Sequence, residues 1–352
     1  MLDYAVMKAA LFDRFRSPIR VREVPDPEPH LDGAIITVAA CGVCRSDWHA
    51  WMGHDGDVRL PHVPGHELAG TVHSVGPSVR RWRVGDRVTA PFSCGCGTCP
   101  ECVAGNPHIC DRYTQPGFTQ WGAFAEQVEI RHADVNLVRL PESIDDVTAA
   151  SLGCRFATSF RAVVRQGRAT AGDWVAVHGC GGVGLSALMI AHALGAQGIA
   201  IDIRPQRLRL AKRLGAAETI DGSREDVVAR ILDITGRGAQ VSLDTLGSHV
   251  TCQNSIRCLA KRGRHVQVGL MLADQADPPL PMGEVIAKEL ELFGSHGIQA
   301  YDYEPMLRMI VAGRLDPSIL VSDVVSLAEG ARRLTDMDRF VGRGMTVIDL
   351  NA

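Results

Sequence analysis

The chain has 352 residues, 46% of them hydrophobic and 22% charged, with a formal net charge of -3. A single core stops growing at about 250 to 300 residues, so this length predicts two domains, and the near-neutral charge excludes a basic field for nucleic-acid phosphates. No apolar run approaches the ~20 residues needed to cross a bilayer, and the N-terminus lacks the basic flank and apolar stretch of a secretion signal, which together predict a cytoplasmic protein without a membrane partner.

In chain order, residues 8–150 read as short β-type runs broken by Gly and Pro, among them 34–39, 70–75 and 86–90, an irregular β domain. From Trp174 the texture changes to a buried strand at 175–178, a glycine turn, a helix at 185–194, a strand at 198–203 and a helix at 206–214. Further strands at 241–244 and 265–268 continue the alternation, which builds a parallel sheet of six strands. Apolar segments at 290–294 and 346–350 again read as strands, with helices near 303–312 and 327–337 between them. The fold class is therefore α/β, a β-rich domain joined to a doubly wound parallel sheet.

Eleven cysteines in a chain of this kind favour metal thiolates over a secreted disulfide framework, because several stand at two-residue gaps. Cys96, Cys99, Cys102 and Cys110 read C-x-x-C-x-x-C, seven residues, then C. Such gaps let a tight turn point successive sulfurs at one zinc, about 2.3 Å away, while a longer loop returns the fourth. Four thiolates close the coordination shell, so this site is predicted to be structural. Cys94 is one cysteine too many for the knot and is read as a neighbour.

A second set is dispersed. Cys44 stands in C-R-S-D-W-H, His66 and Glu67 in G-H-E-L-A-G, and Cys154 in L-G-C-R-F-A-T. Two sulfurs and one nitrogen make the three-ligand shell of a catalytic zinc whose fourth position is kept for water or substrate. Asp47 is expected to accept the other imidazole N–H of His66 and fix its tautomer.

The third signal is G-C-G-G-V-G, with Gly179, Gly181, Gly182, Val183 and Gly184, directly after a strand and at the mouth of a helix. Glycines there permit the tight turn and the close approach of a pyrophosphate to the helix N-terminus. Asp202 follows Gly184 by eighteen residues, where a carboxylate accepts ribose hydroxyls and repels a 2′-phosphate, which selects NAD. Arg204 and Arg207 nearby weigh toward NADP.

Together these residues resemble the zinc-dependent medium-chain alcohol dehydrogenases, of the bacterial tetrameric type, over essentially the whole chain. The resemblance implies a GroES-like catalytic domain over 1–155 holding both zincs, a Rossmann domain over 156–290, and a return to the catalytic domain over 291–352. It implies that Cys44, His66 and Cys154 hold the catalytic zinc, with Glu67 as the acid that can transiently coordinate it. Ser46 matches the hydroxyl that takes the substrate proton and His49 the next relay member, through the cofactor ribose. Thr158, Val268 and Gly269 match positions along the nicotinamide. Phe92 matches a position lining the substrate channel, with Trp48, Trp51, Phe118 and Trp121 as candidates for the same region. The presence of Cys154 favours an alcohol dehydrogenase, oxidising small, medium-chain or aromatic alcohols, over a polyol enzyme. A threonine-type or thiol-adduct formaldehyde dehydrogenase remains an alternative, as does a non-catalytic, zinc-stabilised NAD-binding protein.

Overall fold

The computed structural model describes residues 5–339 and 344–351. The chain divides into two units, Met1–Ala157 with Gly297–Ala352, and Thr158–His296. Among the described residues, no helix is long and apolar enough to cross a membrane.

The first unit opens with an antiparallel ribbon of β1 (Val6–Leu11) and β2 (Arg20–Pro25). The main sheet is organised by β3 (Ala34–Val43), which is apolar and buried over most of its length because both its edges are paired. On one side lie β4 (Glu67–Val75), then β5 (Arg87–Thr89); β6 (Gln127–Ile130) pairs with the start of β3, and β7 (Val138–Arg139) closes the edge. Gly42 of β3 stands opposite Glu67 of β4, so the segments leaving these two strand ends, Cys44 and His66, emerge side by side. That register, not sequence proximity, gathers the first two donors.

The second unit is a six-stranded parallel sheet built from β8 (Trp174–His178), β9 (Gln197–Asp202), β10 (Ala216–Asp221), β11 (Ala239–Asp244), β12 (Leu259–Gln267) and β13 (Glu291–Gly294). Its order is β10-β9-β8-β11-β12-β13, with helices between successive strands, so the direction of winding reverses beside β8. Ligands of such sheets sit outside the carboxyl ends of the strands at that reversal. One boundary expectation is corrected and one strand is added. Residues 291–294 belong to this sheet and not to the returning tail, because β13 fills its backbone hydrogen bonds by pairing with β12, Arg264 opposite Glu291 and Gln267 opposite Gly294. The strand β10 was not read from the sequence, because A-A-E-T-I-D has no clear alternation and takes its place only by pairing with β9.

The chain then returns to the first unit, where β14 (Val321–Val325) pairs with β15 (Met345–Asp349) and β15 pairs antiparallel with β3.

Candidate active site

Cys44 ends the loop from β3 and begins the helix Arg45–Met52, its backbone N–H donating to Asp47 Oδ2 at 3.1 Å. Asp47 is wholly buried, and its Oδ1 accepts both the Gly65 N–H at 3.0 Å and His66 Nδ1 at 2.8 Å. With Nδ1 donating to that carboxylate, the His66 ring presents a bare lone pair at Nε2, and this buried atom has no hydrogen-bond partner. Cys154 enters from a π-helical turn, Leu152–Phe156, a geometry that widens a helix by one residue and recurs at functional sites. The ligand atoms of Cys44, His66, Glu67 and Cys154 all lie within 4.8 Å of one another.

This donor set fits a zinc ion. An orphaned imidazole nitrogen facing two sulfurs is what a dry interior does not tolerate without a cation. The thiols also answer each other. Cys154 donates a hydrogen bond to Cys44 and holds that thiol well below its usual range, while the same contact and burial push Cys154 well above it. Burial opposes charge on His66, but Asp47 outweighs it and raises the ring's proton affinity. Replacing Asp47 by Ala is expected to weaken zinc retention at this site by about 10- to 100-fold, the usual cost of losing the group that orients a metal-bound imidazole. Competition with a chromogenic chelator reads this directly, and unchanged zinc release would contradict the assignment of Asp47 as the orienting group.

Glu67 is fully buried and does not stand alone. Its Oε1 accepts from the Arg155 backbone N–H at 3.2 Å and from Arg155 Nε at 3.0 Å, while Arg155 Nη2 reaches its Oε2. Burial pushes the Glu67 carboxyl up, and the adjacent guanidinium pulls it back toward the ionised form. Room for this pair comes from two glycines: a Cβ on Gly42 would lie 2.2 Å from Glu67 Oε2, and one on Gly153 would lie 2.8 Å from the Glu67 Cα. Arg155 was missed in the sequence. Its signal was there, because a guanidinium inside the apolar run L-G-C-R-F needs a buried anion, and Glu67 beside His66 was the available one.

Ser46 lies on the same helix with its Oγ 3.8 Å from Cys44 Sγ, and His49 follows one turn later. Of the aromatic candidates, Phe92 and Phe118 stand edge-on to the His66 ring, with centroids at 6.2 and 5.4 Å. Trp48 packs against His49 and His54 instead. Trp51 and Trp121 are committed elsewhere, their indole N–H groups donating to Ser17 O at 2.7 Å and Pro61 O at 2.9 Å.

The four-cysteine loop forms a second centre, its sulfurs again within 4.8 Å of one another. Cys99 and Cys110 sulfurs stand 3.6 Å apart, close to the edge of a tetrahedron whose zinc–sulfur bonds are about 2.3 Å. Backbone N–H groups of Cys99 and Arg112 donate to Cys96 Sγ and Cys110 Sγ, at 3.3 and 3.2 Å. Burial opposes ionisation of Cys96, but Thr98 and neighbouring amides bring it down to about 5, whereas burial and the other sulfurs push Cys102 up to about 12. Complete ionisation of such a cluster requires a cation. Cys94 stands outside it, as a buried thiol pushed up to about 12.

In the second unit, Gly179 takes φ +96° and Gly184 packs so closely that a Cβ there would lie 1.9 Å from Gly179 O. The helix Gly182–Ala193 opens directly from this loop, with Gly181 before its first residue and Val183 O accepting the Ser159 hydroxyl at 2.8 Å. A Cβ on Gly181 would meet nothing within 4 Å, which leaves the loop backbone open to an incoming phosphate. Asp202 ends β9; its Oδ2 accepts the Cys180 N–H at 2.8 Å and its Oδ1 the Arg204 N–H at 2.9 Å, with Arg207 Nη1 at 3.6 Å. Val268 and Gly269 both donate to Asp244 O, at 2.9 and 2.8 Å. Asp244 is a second residue missed in the sequence: its buried carboxylate accepts from Leu246, Gly247 and Gln267 and shapes this turn. Thr158 is buried at the start of the unit.

The chain matches two family models, an alcohol dehydrogenase GroES-like domain over residues 31–142 and a zinc-binding dehydrogenase domain over 182–312. It is 31% identical to an alcohol dehydrogenase of Geobacillus stearothermophilus over 91% of this chain and 94% of that protein. It is 32% identical to an NAD-dependent alcohol dehydrogenase of Sulfurisphaera tokodaii over 97% of this chain and 99% of that one. Among solved structures, an alcohol dehydrogenase from Thermus sp. ATN1 superposes with a TM-score of 0.90 at 31% identity, covering 97% of this chain and 99% of the other. Two metal-ready donor sets in a β-rich unit, a glycine loop heading a parallel sheet, and relatives matched nearly end to end converge on one family: the chain belongs to the zinc-dependent medium-chain alcohol dehydrogenases.

Proposed function

We propose that this enzyme oxidises primary and secondary alcohols, benzylic ones included, reversibly to aldehydes and ketones with NAD as hydride acceptor. The observation that carries the reading is the buried set of Cys44, Cys154 and the orphaned Nε2 of His66. When bound there, zinc supplies a Lewis acid that makes an alcohol hydroxyl acidic near neutral pH, and NAD supplies the hydride acceptor.

The protein's own residues hold and orient. Cys44, His66 and Cys154 are the zinc ligands, Asp47 holds the Nδ1 side of the His66 ring so that Nε2 faces the metal, and Arg155 holds the Glu67 carboxylate beside them. Ser46 takes the hydroxyl proton and His49 passes it on. Phe92 and Phe118 exclude water and offer flat apolar walls, which suit aromatic and medium-chain alcohols and disfavour polyols, amino-acid alcohols and thiol adducts of formaldehyde. Cys96, Cys99, Cys102 and Cys110 hold a structural zinc. The Gly179–Gly184 loop receives the pyrophosphate, Asp202 and Arg207 border the adenosine ribose, and Thr158, Val268 and Gly269 border the nicotinamide. The enzyme works as a cytoplasmic homotetramer; exposed Leu280, Met282 and Ile286 on the nucleotide unit support self-association.

Steady-state rates on primary, secondary and benzylic alcohols with NAD and NADP test this reading. A preference for polyols, or no turnover of any alcohol by protein carrying two zincs, would overturn it. In the same assay, Asp202→Ala is expected to raise KM for NAD by about 10-fold or more, the cost of a lost charge-assisted hydrogen bond, and to improve use of NADP. An unchanged NAD to NADP ratio would remove Asp202 from cofactor selection.

A further inference from the structure

The helix Arg45–Met52 ends on Gly53, whose φ of +79° turns the chain back over the last helical turn. This turn ties His54 to His49 twice. The His54 backbone N–H donates to His49 O at 3.0 Å, and the two rings meet Nδ1 to Nδ1 at 3.0 Å. Trp48 packs edge-on against both imidazoles, with centroids at 5.0 and 5.7 Å. Trp48 is in turn held by the Arg45 guanidinium, 3.8 Å from its ring centroid, and Arg45 is anchored to Asp338 at 2.7 Å. His49 is half-buried and His54 is exposed. The rings therefore form a fixed bridge between a partly covered position and water.

Two ring nitrogens at this distance bond only when one carries a hydrogen and the other a lone pair. We propose that His54 is the exit station of the proton path: His49, taking a proton at its other ring nitrogen, passes its Nδ1 proton to Nδ1 of His54, which releases one to solvent. One N–H bond breaks on His49 and one forms on His54; no electrons leave either ring, and exchange with water restores the starting tautomers. The proposal rests on the reading of His49 as the residue that carries the substrate proton onward.

The charges around the pair favour outward transfer. Burial, Arg45 and His54 all lower the proton affinity of His49, while Cys44 and Asp338 act more weakly the other way. A proton arriving on His49 is therefore not retained there, and a second proton on the pair would set two N–H groups against each other.

The test uses the zinc-loaded enzyme carrying His54→Gln, His54→Asn or His49→Gln. Both His54 variants are expected to lower kcat for alcohol oxidation near pH 7 by on the order of tenfold, below the ~10²–10⁴-fold of a group acting on substrate directly. KM for alcohol should hold, the acid limb of the kcat–pH profile should move, and added imidazole should restore rate. Independently of turnover, ¹⁵N NMR of the histidine rings should show the His49 titration moving upward in His54→Gln, because the repulsion from His54 is gone. Wild-type rates and pH profile in both His54 variants would overturn the proposal, and so would a rate loss with no pH shift and no imidazole rescue. If His49→Gln itself turns over normally, the relay through His49 fails first, an outcome separable from failure of His54 alone.

Discussion

Replacing Cys154 by Ser or His66 by Ala is expected to reduce alcohol turnover by on the order of 10³-fold or more while leaving NAD affinity within about twofold. Each change removes one of the donors Cys44, His66 and Cys154, and among the described residues the further donor grouped with them is the Glu67 carboxylate. That carboxylate is already engaged by three Arg155 groups. Cofactor affinity should survive because the glycine loop and Asp202 are built within the other unit, from β8, β9 and the helix after them. Metal analysis should fall from two zincs per chain to one, matching the loss of one of the two donor clusters. Retained activity in a metal-depleted His66→Ala sample would refute the assignment of the reaction to this centre.

The second large effect concerns stability. Cys99→Ser is expected to lower the thermal midpoint by on the order of 10 °C, since loss of a structural metal belongs to the class of changes costing about 4 kcal/mol or more, and a unit of this size loses about 2 to 4 °C per kcal/mol. The residues 93–110 contain few apolar side chains beyond the cysteines themselves, which form their own small cluster, so the ion replaces a core. Specific activity measured well below the transition should stay near that of the parent, which separates a structural centre from a catalytic one. Scanning calorimetry with parallel zinc analysis checks both points; a lost zinc with an unchanged midpoint would show that the loop holds itself together without the ion.

Much of the site was legible because its chemistry leaves marks in the linear sequence. The four cysteines at 96, 99, 102 and 110 announce a shared ion by spacing alone, and G-C-G-G-V-G between a strand and a helix announces a phosphate loop. The dispersed donors were legible only as a combination, since Cys44, His66 and Cys154 are far apart in sequence and each has an ordinary reading by itself. Pairing of β3 with β4 brings Cys44 beside His66, and packing of the Leu152–Phe156 turn against Glu67 brings in Cys154; no local pattern encodes either contact. The aromatic candidates divide for the same reason. Phe92 and Phe118 reach His66, whereas Trp51 and Trp121 spend their N–H groups on backbone carbonyls of distant loops.

Composition, motif spacing and the change of texture near Trp174 were enough to determine the fold class and to mark the four-cysteine loop and the glycine loop as candidate sites, because turn geometry and hydrophobic period are short-range properties. Tertiary structure alone decided that β13 completes the parallel sheet, that Arg155 neutralises Glu67 and that His54 meets His49 ring to ring. Strand register, buried-charge pairing and ring contact across a helix cap depend on which surfaces meet after folding, and a linear sequence does not carry those distances.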